Sequence, residues 1–358
     1  MTINQSTKAT TPDGRAVLGE LKTKQIYDTQ SAQFNVTKQK SFRVNTGNIN
    51  NYIELKQKRY ANSAEELCAC LNLQFAKLPE DTRLVEDETL MLADKKHREP
   101  LYERDDLKIT LKLFVKDFEF SSIRDAIQST MSELQIDTIE QLIIAFPAPD
   151  GASSSDVKST STKGLHNGCA NFESADMNCH SEHPGEEPPL DVGWLNAVLR
   201  VWAQIDTEYV QTQKVFSVGV ADFNLTALQG LYNAAKLKPS IDHLNANTFC
   251  LSSALRDFAH ENDIQLLTHN DPKPFPLTDV FHSFCRCDTK TLTAGEENKH
   301  EMNEEDRENR CSRFLPMWAA RYTVWVRRRS LMAAKGYIVE FQKASVVNAA
   351  CALAKQIQ

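Results

Sequence analysis

The sequence predicts an α/β fold of the (β/α)8 barrel kind, in which parallel strands close on themselves inside a ring of helices. Three observations carry this expectation. Apolar stretches of strand length alternate with amphipathic stretches of helix length from residue 107 to residue 268, the pattern of βαβ units around a parallel sheet. The number of repeats favours closure over a short open sheet, and 358 residues suit a barrel of about 250 residues carrying insertions. The turn G-x-G-x-x-G, which opens a dinucleotide-binding unit of the open-sheet type, is absent.

The elements follow in order. Structure is expected to begin at Ser41-Phe42-Arg43-Val44, followed by the turn Thr46-Gly47-Asn48. Ser63-Ala64-Glu65-Glu66 reads as a helix start, with Ser63 as N-cap and carboxylates in the first turn, burying Leu67, Leu71 and Leu78. Leu107–Val115 is a strand, and Ser121–Glu133 an amphipathic helix with Ile123, Ile127, Met131 and Leu134 on one stripe. Strands are expected at 139–146, 215–220, 241–245 and 264–268, with helices at 194–209, 226–235 and 252–261. Leu315, Trp318, Tyr322 and Trp325 recur at helical spacing and predict a late helix.

Residues 1–40 are polar and predict a disordered tail. The barrel would occupy 41–345, interrupted by inserts at about 149–188 and 286–312 that lack periodicity. Residues 346–358 read as a helical extension rich in small residues. The net charge of −7 offers no basic field for a nucleic acid. No apolar run approaches membrane-spanning length, and the start lacks a signal-peptide core. Nine scattered cysteines, an odd number without framework spacing, predict reduced thiols and a cytoplasmic chain.

Several stretches resemble the regulatory (modifier) subunits of glutamate–cysteine ligase: Asn45-Thr46-Gly47-Asn48, Glu65-Glu66-Leu67, Lys112-Leu113-Phe114, the run from Asp263 to Asn270-Asp271-Pro272-Lys273, Arg321-Tyr322 and Lys335-Gly336-Tyr337-Ile338. That family is itself similar to the aldo-keto reductases. Here Arg104-Asp105-Asp106-Leu107 before Lys112, Val218-Gly219-Val220-Ala221-Asp222-Phe223 and Leu237-Lys238-Pro239 carry the wider likeness. The resemblance implies an aldo-keto reductase type barrel that binds and activates a separate catalytic ligase subunit as a heterodimer in glutathione biosynthesis. The alternative is a working NADPH-dependent reductase.

The reductase pattern can be tested residue by residue. Carbonyl reduction needs a tyrosine proton donor beside a lysine, and a histidine that orients the substrate. Lys112 stands where the family lysine is expected. The histidine position is Ala145 in Ile144-Ala145-Phe146-Pro147, and no tyrosine occurs between Tyr60 and Tyr102. The clamp for a nicotinamide would fall on Ala221, Asp222, His243 and His269. The expectation is therefore no catalytic residue, with Lys112 a retained lysine paired with a carboxylate. No cofactor is expected either, although weak NADPH binding stays open.

Other groupings are weaker. Cys169, Cys179, His180 and His183 could ligate zinc but match no familiar spacing, so no metal is expected. Cys68 reads as a buried helix residue, and Cys285 and Cys287 as loop thiols. Arg327-Arg328-Arg329 reads as a solvated helix end. His243 and His269 are expected near the barrel mouth. For partner contact the sequence nominates Asn270, Asp271 and Lys273 of the turn, and Trp318, Arg321, Tyr322 and Trp325 of the late aromatic–basic segment, since such anchors dominate interfaces.

Overall fold

The structure, a computed structural model, describes residues 41–76, 82–85, 89–92, 102–149, 189–246, 252–272, 275 and 314–343. The tail, nearly all of the first insert, the second insert, the C-terminal extension, Leu78, Lys273 and the cysteines and histidines of both inserts lie outside the described residues.

The middle of the chain follows the predicted rhythm. Strand β4 (Leu107–Val115) leads through a helix (Phe120–Leu134) to β5 (Ile139–Ala145), and a second helix (Val192–Ile205) leads to β6 (Val215–Ala221). Two more helices, Leu225–Ala234 and Ser253–Glu261, connect β6 to β7 (Ile241–Asn245) and β7 to β8 (Gln265–His269). Each strand pairs in parallel with the next. Local chemistry sets the boundaries. Asp191 Oδ1 accepts from Trp194 N at 2.9 Å, and Asn224 Oδ1 accepts from Ala227 N at 2.9 Å, each capping the helix that follows. The second helix runs on into a π-turn, Asp206–Val210.

The other half departs from the expectation. A long hairpin, β9 (Phe314–Val326) and β10 (Leu331–Lys343), lies beside β4, with β9 antiparallel to both β4 and β10. Strand β1 (Ser41–Asn45) pairs antiparallel with β10, and the short β3 (Thr89–Leu92) and β2 (Thr82–Val85) complete that side. The order is β2-β3-β1-β10-β9-β4-β5-β6-β7-β8. Among the described residues the sheet is mixed and open, so eight parallel strands closed into a barrel are not what the structure presents; the α/β class stands.

The predicted late helix is strand β9. Its three- and four-residue apolar spacing is fortuitous, because both faces of this strand are covered and both are mostly apolar, which erases strand alternation. Pro316, which has no N–H to donate, sits at a register shift opposite Glu340 and Phe341.

The two faces carry separate cores. Ile109, Leu111 and Leu113 of β4 and Trp318, Ala320 and Tyr322 of β9 pack with Ile123, Ile127 and Trp202 from the crossover helices. On the opposite face Phe114, Ala319, Tyr337, Val339 and Phe341 meet Leu67 and Leu71 of α1 (Ser63–Ala76). We number the crossover helices α2 to α5. Thus α1 covers one face of the sheet and α2–α5 the other. Among the described residues no helix is long and apolar enough to cross a membrane.

Trp318 and Tyr322 are 1% and 2% exposed. Trp318→Ala should therefore cost about 3–5 kcal/mol of stability, the range for large aromatic truncations in cores. Urea denaturation would measure it, and a loss under 1 kcal/mol would contradict this packing.

Candidate functional site

The site grows from one row of side chains across β4, β9 and β10. Lys112 pairs with Arg321 and Arg321 with Tyr337 in the strand register, so all three project to the face that α1 covers. Two cations side by side in a buried place require an anion. Asp271, in the turn after β8, supplies it. Lys112 Nζ lies 2.7 Å from Asp271 Oδ2, and Arg321 donates from both terminal nitrogens to the two carboxylate oxygens. This bidentate fork is the strong form of the contact. The Ser63 hydroxyl also donates to Asp271.

Ser63 is free to do this because it is not the cap. Asn62 Oδ1 accepts from Glu65 N at 2.9 Å, while Glu65 reaches back to Ala61 N at 2.8 Å. This reciprocal capping, one residue earlier than the sequence reading, turns the Ser63 hydroxyl inward. One turn later Glu66 accepts from Lys335 Nζ at 2.6 Å and from the Tyr337 hydroxyl at 2.6 Å. Charges then alternate along the cluster: Lys112, Asp271, Arg321, then Tyr337 leading to Glu66 and Lys335.

Electrostatics follow from burial and pairing. Burial alone would raise the Asp271 carboxyl, but Arg321 and Lys112 outweigh it and hold it well below the usual carboxylate range. Burial drops Lys112 to about 8, with Asp271 pulling it back up and Arg321 pushing it further down. Burial drives the Tyr337 hydroxyl well above its ordinary value, and its donation to Glu66 adds to the shift. Cys68 and Cys70 are pushed up to about 11 and about 12, mainly by burial, so both stay protonated.

The clamp positions lie beside this cluster, at the C-terminal ends of the parallel strands. Ala145 ends β5 opposite Phe114, and Ala221 ends β6. Asp222 adopts a left-handed conformation, φ 62°, and its carboxylate accepts from Asn245 N at 3.0 Å. The His243 and His269 rings stand edge to face, 4.7 Å apart. His243 Nε2 lies 3.0 Å from the Thr268 carbonyl, and burial with the nearby Lys112 charge lowers this ring to about 4. It is therefore neutral at ordinary pH, with Nε2 donating. His269 Nδ1 accepts from Asp271 N at 3.0 Å, and its Nε2 faces Asp222 Oδ1 at 3.3 Å. Both histidines thus sit where the mouth was expected.

Lys112 is paired with a carboxylate, as expected. What sequence reasoning missed is the identity of that carboxylate and the second cation. Asp271 and Arg321, nominated for partner contact, are held in this internal cluster, and Trp318 and Tyr322 are core. Asn270 remains exposed, its amide donating to Ala61 O at 3.3 Å. Trp325 is half-buried, and Lys273 lies outside the described residues. The available signal was local: Arg321 stands inside a strand of apolar residues. Among the described residues no group of His, Cys, Asp and Glu could hold a metal ion.

The stretches that carry the family resemblance meet here. Asn48 binds the Ala333 carbonyl and Lys335 N through its side chain, and Thr46 Oγ1 accepts from Tyr337 N at 2.8 Å. Gly47 takes a left-handed φ of 62°. Gly336 lies so close to the Tyr322 hydroxyl and the Gly47 carbonyl that a Cβ would collide with both. The arrangement is an α/β sheet whose inner cluster binds charges to one another.

No family model matches the chain. It is 25% identical over 324 residues to the human protein named glutamate–cysteine ligase regulatory subunit, covering 88% of this chain and 98% of that one. It is 23% identical over 219 residues to mouse aldo-keto reductase family 1 member C13, covering 60% of this chain and 59% of that one. The solved structure of an aldose reductase from Giardia lamblia matches with a TM-score of 0.28, at 22% identity over 46% of each chain.

Asp271→Ala should cost about 3–5 kcal/mol, because it strands two buried cations. Lys112→Met should cost less, since Arg321 and Ser63 still serve Asp271. The two groups also differ in sign with pH. The folded chain binds fewer protons on Lys112 than the unfolded chain between about 8 and the ordinary 10.5, so this group makes stability rise with pH across that window and adds no slope below it. Asp271 is depressed, so its contribution is present above the ordinary carboxylate range and lost as acid titrates it. Comparing wild type with Lys112→Met by urea unfolding at pH 7.5 and 9.5 checks the first sign. The wild type should gain relative to the variant at the higher pH.

Proposed function

We propose that the chain is a non-catalytic regulatory subunit that binds and activates the catalytic subunit of glutamate–cysteine ligase. The observation that carries this reading is the state of Lys112. In a reductase this lysine would lower the pKa of an adjacent tyrosine. Here a carboxylate holds it, as an aspartate does in the reductases, but Arg321 and not a tyrosine stands beside it in the strand register. The tyrosine of the same cluster, Tyr337, has its hydroxyl engaged by Glu66 and its pKa raised, the reverse of what a proton donor needs. Ala145 offers a methyl group where a substrate-orienting histidine would stand. The likeness to regulatory subunits runs over nearly the whole of those relatives, which supports the same reading. An aldo-keto reductase type barrel, a heterodimeric assembly and a cytoplasmic location belong to this proposal.

Activation by a subunit without chemistry requires differential binding. It must hold the active conformation of its partner more tightly than the inactive one. A difference of about 1–3 kcal/mol changes the partner's response several-fold to roughly a hundredfold.

Two measurements test the proposal together. Added to the catalytic subunit, the chain should raise the rate of glutamate–cysteine ligation in a saturable, stoichiometric way. Alone with NADPH and simple aldehydes, it should leave the absorbance at the background rate. NADPH turnover abolished by Lys112→Met, with no effect on ligation, would overturn the reading in favour of a reductase.

A further inference from the structure

The cluster just described ties Lys112, Asp271 and Arg321 together near the C-terminal ends of the parallel strands. The opposite end of the sheet is different. Large apolar side chains stand exposed there: Phe216 near the start of β6, 60% exposed, and Leu331 at the start of β10, 49% exposed. Leu331 pairs with Val326, which pairs with Leu107 at the start of β4. Phe216 falls level with Glu140 in the β5–β6 register. The two side chains therefore lie along one edge, four inter-strand steps apart, or about 20 Å of sheet at about 4.8 Å per step.

Between them projects the turn Arg327-Arg328-Arg329-Ser330. The turn is stapled. Arg327 N donates to Asp106 O at 2.8 Å, Arg327 Nε to Leu107 O at 2.8 Å, and Arg327 Nη2 to Glu140 Oε1 at 3.0 Å. Arg104 also bridges to Glu140 at 2.9 Å. Arg328 keeps only a 3.6 Å approach to Asp106 and is almost fully exposed, and Arg329 is exposed beside it. Half-buried Trp325 completes the strand end below the turn.

We infer that this edge, formed by Phe216, Trp325, Arg328, Arg329 and Leu331, is the surface that docks the catalytic ligase subunit, through a partner stretch with carboxylates flanking apolar side chains. The inference rests on the regulatory-subunit reading and deepens it. Charge argues for an acidic occupant: in a chain of net charge −7 the tip concentrates three consecutive arginines, of which Arg327 is hydrogen-bonded to the sheet while Arg328 and Arg329 stand exposed. Exposed aromatic and arginine side chains on a rigid support are the residues that carry binding energy, and a stapled turn loses little freedom on association.

The test measures affinity for the purified catalytic subunit by calorimetry, using the full chain. Arg328→Glu with Arg329→Glu, and separately Phe216→Ser with Leu331→Ser, should each weaken binding by about tenfold or more. The contribution of the two arginines should shrink as salt rises. Val192→Ser, which removes an equally exposed apolar side chain at the N-terminus of α3 and therefore at the other end of the sheet, should change affinity by less than about twofold. Melting temperatures check that each variant folds, and the charge reversal touches no packed side chain. Wild-type affinity retained by both edge variants would overturn this surface while leaving the regulatory reading intact. No binding by the wild-type chain would overturn that reading and this one with it.

Discussion

The constraint on which the structure turns is the neutralisation of Asp271 on the inner face of the sheet. A carboxylate buried there needs cations brought to it, and each comes from a different strand. Lys112 arrives on β4 and Arg321 on β9. They can meet one carboxylate only if β9 lies against β4 in the observed antiparallel register, where Lys112 is opposite Arg321. A slip of one residue would send Arg321 to the face packed by α2 and bring Tyr322 inward. The same carboxylate takes the Ser63 hydroxyl, which fixes where α1 begins, and Arg321 leads on to Tyr337 and through it to Glu66. Buried ion pairs seldom add much net stability. What this one supplies is register: it decides which strand neighbours which.

The sequence was legible where chemistry repeats locally. From Leu107 to His269 each apolar run became a strand and each amphipathic run a helix, because those patterns depend on neighbours within one turn or one pleat. It was illegible where the partner is distant. Arg321 and Asp271 are 50 residues apart, and Lys112 and Asp271 are 159 apart, so no window contains the reason for either charge. The hairpin failed for a related reason. With Ala319 facing α1 and Trp318 and Ala320 facing α2, apolar residues occupy both phases of the strand, and Leu315, Trp318, Tyr322 and Trp325 fall at helical intervals by coincidence. The cap failed by one position, since both Asn62 and Ser63 can cap a helix and only the pull of Asp271 on Ser63 separates them.

The same physics bears on Lys112 in the regulatory reading we propose. A reductase lysine, itself held by an aspartate, works by lending charge to a tyrosine, so it must sit beside one. Lys112 has the position and the burial. Yet it faces a carboxylate that two cations have already pulled far below the ordinary range, and Arg321 rather than a tyrosine stands beside it in the register. His243, neutral at ordinary pH, stands edge to face against His269, whose Nδ1 accepts from Asp271 N. The pair of Lys112 and Asp271 holds β4 to the turn after β8.

Such compensation bears on how the regulatory role we propose would be exerted. The charges of the inner cluster are spent on one another, and displacing them would leave buried charge unpaired, at a cost of several kcal/mol. A surface that must favour one conformation of a partner is better built from side chains whose burial is still to be gained. Phe216 and Leu331 are of that kind, and Arg328 and Arg329 stand on a turn already anchored by Arg327 to the sheet's first hydrogen bonds. The sheet thereby separates two tasks by position. One end holds the fold together with charge, and the other leaves apolar and cationic side chains exposed to water, where burial against a complementary surface would lower the free energy of the apolar groups.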